Sequence, residues 1–410
     1  MNQVPKKNKK ITFYIILIGI IAAAFTGIWL GIYTWLNSLI WSNNFVSTHR
    51  FMLPLGVLIF SLLIGLSQKY LKAPNMIHGG GLVDALSGDT GPVNLKTFPG
   101  ALIVSYLSLL SGASIGPEGS IGLLVTDIVS WFKKKFISTE SNFLRILSVG
   151  LASAYNGIIG SPLFTAFLTT EIQKEKDIKI VVWNLLGGII GFSFFTLLQL
   201  HVFAKYIPFA PITTLKLEYF IYAFLLALVG ATIAIFVGIS FQFFEKLLDR
   251  YFKTRPLFRI LTVGAITAVV VYFFPEVMFA GETQIFPMIA NPAAYGILLL
   301  LLFAILKIVL MALSFKSGYI GGPTFPMLFA CVMIGLALSL IFPWIPISIL
   351  ITCIEVSAFA LALNAPLTAI LLVAVINTAD PNSTALLILS AVVGIGVGYV
   401  VKQKRIKQTG

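Results

Sequence analysis

The chain has 410 residues, 58% of them hydrophobic and only 10% charged, with a net charge of +13. A soluble domain carries about 25% charged residues, so the composition excludes a soluble globular protein and defines an integral membrane protein. The positive charge is scattered through connecting segments and no nucleic-acid motif accompanies it, so no nucleic-acid partner is expected.

In chain order, a basic tail of residues 1–10 containing KKNKK precedes an apolar run at 11–36. A cleaved signal has an apolar region of roughly 7 to 15 residues, so this longer run is read as an uncleaved first helix. Further runs at 51–67, 180–203, 219–244, 294–315 and 383–401 are candidate spans, since crossing about 30 Å of hydrocarbon takes roughly 20 helical residues. Apolar pieces at 120–132 and 162–170 are too short to cross alone. Short pieces broken by Gly and Pro predict discontinuous or re-entrant helices, which a membrane tolerates only inside protein or along a water-filled cavity. Lys69 and Lys72, KKK at 133–135, KEK at 174–176 and KQKRIK at 402–407 fit cytoplasmic loops, with both termini inside. No hydrophilic block is long enough for a soluble domain, so residues 11–402 are expected to form one membrane domain, with 403–410 a short basic tail.

Internal repetition divides that domain. GGGLVDAL begins at Gly79, GPEGS at Gly116 and SPLFTAFLTT at Ser161, at intervals of 37 and 45 residues. GETQIFPMI begins at Gly281, GGPTFPML at Gly321 and APLTAILLVA at Ala365, at intervals of 40 and 44. The shared order predicts a duplicated transporter-type fold, with repeat one near 50–203 and repeat two near 217–401. Chance likeness within the narrow alphabet of membrane sequences is the competing reading, and the spacings alone do not distinguish parallel from inverted repeats.

The landmarks carry chemistry. A helix start has backbone N–H groups without intrahelical partners and about half a positive charge, which makes it an anion site. Gly allows close approach and Pro suits the first turn. Gly79, Gly80 and Gly81, the segment Gly116 to Ser120, and Gly321 to Pro326 all have this composition. Three such starts converging would hold an anion without a full positive charge and still release it. For any one of them, a packing break is the competing explanation; three, two of them related by the repeat, favour a site. Glu118 sits in the second start, where a buried carboxylate is expected to be functional or paired. Ionised, it would compete with an anion for the same place; protonated or displaced, it would leave that place free.

Other acids divide less clearly. Glu171 reads either as a helix end at the interface or as a proton-handling or structural acid, and Glu282 reads as a helix-start acid. Asp127 and Glu355 lie among apolar residues with no evident partner. Cys331 and Cys353, both in apolar segments, read as packing residues. A membrane enzyme would need a catalytic constellation, but the three histidines, His49, His78 and His201, have no metal-ligand spacing. Neither a cofactor nor a metal is expected.

These motifs resemble the CLC family of chloride channels and proton-coupled chloride transporters, over roughly residues 50 to 400. GPEGS at 116–120 is similar to the family's G-R-E-G-P, which places Glu118 at its gating glutamate. SGYIGGPTFPML at 317–328 resembles S-G-x-x-G-G-x-F-x-P-M-L, and NAPLTAILLV at 364–373 looks like the matching late helix. AYNGIIGSPLFTAFLTTE at 154–171 is similar to the helix starting N-A-P-L-A-G and ending in a glutamate pair, and GGGLV at 79–83 falls where G-S-G-I-P is expected. The resemblance implies an all-α polytopic membrane protein of two inverted repeats, a homodimer with one anion pathway per subunit. It places anion-binding residues at Gly79, Gly80, Gly81, Gly116, Glu118, Gly119, Thr324 and Phe325.

Several positions depart from the family. Gly80 replaces an anion-contacting serine, and Pro323 stands where an amide contacts the anion but has no N–H. Thr324 aligns with the usual phenylalanine, and Phe325 follows one residue later. Ile172 replaces the second, proton-accepting glutamate of the pair, leaving Glu171. Tyr399 is a weak counterpart of the family's inner tyrosine. The expectation is transport of chloride-like anions across the cell membrane, channel-like because of Ile172. Proton-coupled antiport of chloride or fluoride is the alternative, and a multipass enzyme the alternative from another class.

Overall fold

The computed structural model describes residues 6–71, 73, 97–136, 143–173 and 178–409. Gly79, Gly80, Gly81 and His78 lie outside these described residues. Among the described residues the regular elements are helices: α1 (Lys6–Trp41), α2 (Asn44–Thr48), α3 (Met52–Leu71), α4 (Phe98–Leu110), α5 (Glu118–Phe136), α6 (Phe143–Tyr155), α7 (Pro162–Gln173) and α8 (Ile178–Leu197) in the first half. The second half holds α9 (Leu217–Phe252), α10 (Pro256–Phe273), α11 (Ile285–Ala290), α12 (Gly296–Ser317), α13 (Thr324–Ile341), α14 (Ile347–Leu363), α15 (Pro366–Ile376) and α16 (Pro381–Thr409). Among the described residues, eight helices are long and apolar enough to cross a membrane.

Most helices of one half have a counterpart in the other. α1 and α9 each have 36 residues, and each packs on the helix two places before its half's last one: α1 on α6, α9 on α14. α6 then packs on α8 as α14 packs on α16, and α3 meets α4 as α10 meets α12. Elements also meet their own counterparts, α3 against α10 and α7 against α15, as a two-fold relation requires.

Charge shows the sense of that relation. α1 begins in KKNKK, whereas its counterpart α9 carries Lys246 and Arg250 in its last two turns. α8 begins beside Lys179 and α16 ends in KQKRIK; α5 ends in Lys133, Lys134 and Lys135, whereas α13 ends in apolar residues. Because basic residues favour one side of a membrane, counterparts carrying them at opposite ends run in opposite directions. The architecture is two inverted repeats.

Packing between helices is set by backbone proximity, as expected where lipid supplies no hydrophobic drive between helices. α8 meets α6 through Gly187 and Gly191, whose missing side chains leave room for the backbone of Val149 and Ser153. Arg259 of α10, only 2% exposed, donates Nη1 to Asp249 and Nε to the Lys316 carbonyl at 2.6 Å.

Candidate functional site

The two halves meet at their Gly-Pro turns. Gly116 N donates to Gly322 O and Gly322 N donates to Gly116 O, each at 2.7 Å. Each glycine is followed by proline and then by the first residue of a helix, Glu118 of α5 or Thr324 of α13. The turn before Glu118 opens at Gly112, whose φ of 78° suits glycine. Two features hold that turn against the second half. Phe279 N donates to Gly112 O at 3.1 Å, and Ser114 Oγ donates to Val277 O at 3.0 Å.

A buried lysine organises the far side of the same contact. Lys307 of α12 donates Nζ to the carbonyls of Val277, Met278 and Phe279 at 3.0, 3.0 and 2.6 Å, and lies 4.8 Å from the Phe329 ring centre. Three carbonyl acceptors and an aromatic face satisfy a cation that would be expensive if bare.

With both turns fixed, the Glu118 side chain, 3% exposed, reaches across from α5 to the start of α13. Its Oε1 accepts the Thr324 N–H at 2.5 Å, while its buried Oε2 has no hydrogen-bond partner among the described residues. The carboxylate of the first residue of α5 therefore also sits at the start of α13, and no Lys or Arg lines the place among the described residues. Pro323, which lacks an N–H, sits one residue before that donor as the N-cap of α13, so its missing N–H removes no bond from the carboxylate.

The glycines are spatial requirements here. A Cβ at Gly322 would overlap Glu118 Cγ and Cδ, one at Gly116 would overlap Glu118 Oε2, and one at Gly119 would overlap the Gly321 carbonyl. Gly116, Glu118, Gly119, Thr324 and Phe325 are thus brought together.

Beside the carboxylate is a cavity of about 20 Å³, room for one water-sized particle, lined by Glu118, Thr324 and Phe325 together with Tyr155, Ile158, Phe164, Leu168, Leu363 and Leu372. Tyr155, at the end of α6, donates its hydroxyl to Glu118 O at 2.8 Å. Phe203 packs edge-on against Phe325, centroids 4.9 Å apart. It belongs to the segment between the halves, which is strapped across the site: Phe203 N and Ala204 N donate to Gly157 O and Ile158 O at 2.9 Å, and Ile207 N donates to Ile376 O at 2.7 Å.

The strap ends at Asp380, whose Oδ2 accepts Ile212 N at 3.0 Å while Oδ1 accepts Asn382 N and Ser383 N at 2.8 and 3.0 Å. Burial alone raises this carboxyl's pKa, but the bonds from Ser383, Ile212 and Asn382 outweigh it and hold it below its ordinary value.

Glu171 is separate from the cavity lining. Its Oε2 accepts Thr368 N at 2.6 Å and Thr368 Oγ1 at 2.7 Å, and its Oε1 accepts Leu367 N at 3.1 Å. A carboxylate from α7 thereby caps α15, its counterpart. Ile172 beside it is buried and apolar. Tyr399 on α16 and His201 in the strap are exposed and His49 at the α2 end is half-buried, and all three are away from the cavity lining. Tyr155, Phe203 and Lys307 were not singled out from the sequence. Lys307 had a signal, a lysine inside an apolar run; the other two had none.

A helical membrane bundle of inverted repeats with paired helix starts at its centre is a class of transport fold, and the comparisons name its family. The family described as voltage gated chloride channel matches residues 56–399. The chain belongs to that family. It is similar to an uncharacterized protein of Methanocaldococcus jannaschii, MJ0305, at 26% identity over 232 residues, covering 53% of this chain and 55% of that protein. The chain thus spans about half the length of that curated relative. In fold it is similar to a slow cyanobacterial Cl⁻/H⁺ antiporter (TM-score 0.79, 18% identity, covering 96% of this chain and 95% of the other). It is also similar to a CLC-type fluoride/proton antiporter (TM-score 0.78, 18% identity, covering 97% of each chain). A eukaryotic CLC transporter aligns with TM-score 0.73 and 16% identity, covering 96% of this chain and 72% of the other.

Proposed function

We propose that this protein carries chloride-like anions across a cell membrane along a pathway gated by Glu118. The observation that supports the reading most is the placement of the Glu118 carboxylate on the Thr324 N–H at the start of α13. An anionic group held at a helix N-terminus marks where a permeant anion would bind. Gly116, Gly119, Thr324 and Phe325 form that place, and Gly79, Gly80 and Gly81 supply a third helix start on sequence grounds. Ionised Glu118 occludes the site; protonation or displacement opens it.

Passive conduction is the reading for the mode of transport. Ile172 offers no proton acceptor, and the Glu171 carboxylate is engaged as the cap of α15, which supports a structural acid rather than a relay. The basic helix ends belong to the cytoplasmic side, which puts both termini inside the cell. The family resemblance adds a homodimer in the plasma membrane.

The test is purified protein in liposomes, with chloride, nitrate and fluoride efflux recorded together with proton movement. Chloride efflux without uphill proton movement is expected. Stoichiometric proton movement would replace conduction by antiport, and absence of any anion flux would remove the transport reading. Glu118→Gln should abolish the rise of flux on acidification; an unaltered pH profile would remove Glu118 as the gate.

A further inference from the structure

Glu355 lies in the middle of α14, fully buried, and is not part of the Glu118 cavity. Its Oε2 accepts a hydrogen bond from Asn377 Nδ2 at 2.7 Å, and the same nitrogen donates to Val373 O at 3.0 Å. The two protons of that amide are therefore both used. Two buried oxygens are left over, Glu355 Oε1 and Asn377 Oδ1. They sit on two groups already joined by a bond.

As a carboxylate and a carboxamide, these two oxygens are both acceptors and neither can satisfy the other. An ionised Glu355 would also be a bare charge in an apolar interior. Among the described residues, the surroundings supply no compensating cation. α13 presents the buried Cys331, and α16 presents Gly394 against Ser357 and Ser390, whose hydroxyl donates to Leu386 O. α9 presents Gly230 and Ala227 to the same stretch of α14. The acids of α9 are paired elsewhere, Glu218 with Lys216, Glu245 with Lys316 and Asp249 with Arg259.

A single proton resolves both leftovers. Placed on Glu355 Oε1, it is the donor that Asn377 Oδ1 lacks, and the charge disappears. We propose that Glu355 is a proton-binding site of the membrane domain, holding its proton in a closed acid–amide ring with Asn377. The ring ties α14 to the C-terminal end of α15, while the Glu171 carboxylate holds the other end of α15. Leu372, between those two ties, lines the Glu118 cavity. Loss of the proton would put two lone pairs face to face and free that end of α15.

The experiment is infrared spectroscopy of the full chain in lipid at neutral pH, comparing the wild type with Glu355→Gln and Asn377→Val, together with their thermal midpoints. A protonated-carboxyl C=O band should be lost in Glu355→Gln and move to higher frequency in Asn377→Val, where its hydrogen bond is gone. Glu355→Gln should keep the wild-type midpoint, since its amide can close the same ring, whereas Glu355→Ala should lower it. A wild-type spectrum without a band that Glu355→Gln removes would overturn the proposal. So would a Gln variant as unstable as the Ala variant.

Discussion

Replacing Gly322 with alanine should open the site without breaking it. The backbone there is not in the left-handed region, so alanine is conformationally acceptable. The atoms in the way of the new Cβ belong to the Glu118 side chain, at Cγ, Cδ and Oε1. The carboxylate must leave, and it loses its 2.5 Å bond from Thr324 N. A hydrogen bond to a charged group has a net value of about 1.5–3 kcal/mol, so the occluded state should lose population by roughly 10- to 100-fold.

In liposome efflux, Gly322→Ala should conduct faster at neutral pH and lose its response to acid. Adding Glu118→Ala removes the obstacle, so Gly322→Ala should then have no further effect, a coupling that a double-mutant cycle reads directly. Gly119→Ala is the contrasting control. Its Cβ would overlap the Gly321 carbonyl, backbone that cannot swing aside, and flux should be lost in either background. Wild-type flux and acid response in Gly322→Ala would refute the reasoning.

Glu171→Ala removes the acceptor for Leu367 N, Thr368 N and Thr368 Oγ1 and should cost about 1–2 kcal/mol, the usual cost of a lost N-cap; thermal unfolding in detergent measures it, with Glu171→Gln milder. Asp380 is a carboxyl whose folded pKa lies below its ordinary 3.8. Its contribution is therefore present above that value and lost as pH falls through the folded pKa. Asp380→Asn should lower the thermal midpoint at neutral pH and flatten its decline in acid, read from midpoints taken between neutrality and strong acid.

The candidate gate was legible because its signal is local: a carboxylate between Gly and Pro in an apolar stretch is expensive wherever the chain goes. Span positions were legible for the same reason, with 294–315 and 383–401 falling on Gly296–Ser317 and Pro381–Thr409. The span Pro256–Phe273 was passed over, although it is as apolar as Ile178–Leu197. The landmark motifs begin after the first helix, so they carried no sign that Lys6–Trp41 is the counterpart of Leu217–Phe252. Partners brought from far along the chain leave no local trace. Glu355 had none in view because Asn377 lies 22 residues away, across a helix turn. Tyr155 and Phe203 are ordinary aromatic residues until the fold sets them against Glu118 and Phe325.

The reciprocal Gly116–Gly322 pair also bears on how the protein is made. The bond from Thr324 to Glu118 spans 206 residues, and the turn contacts span as many. At a synthesis rate of about 5–20 residues per second, the first half spends roughly 10–40 s in the bilayer before its partner turn exists. During that interval the amides of its central turn have no mate from the second half, and the Glu118 carboxylate lacks its donor from α13. The nascent first half must therefore find temporary donors and acceptors, from water, lipid headgroups or an insertion factor, until the second half arrives to replace them.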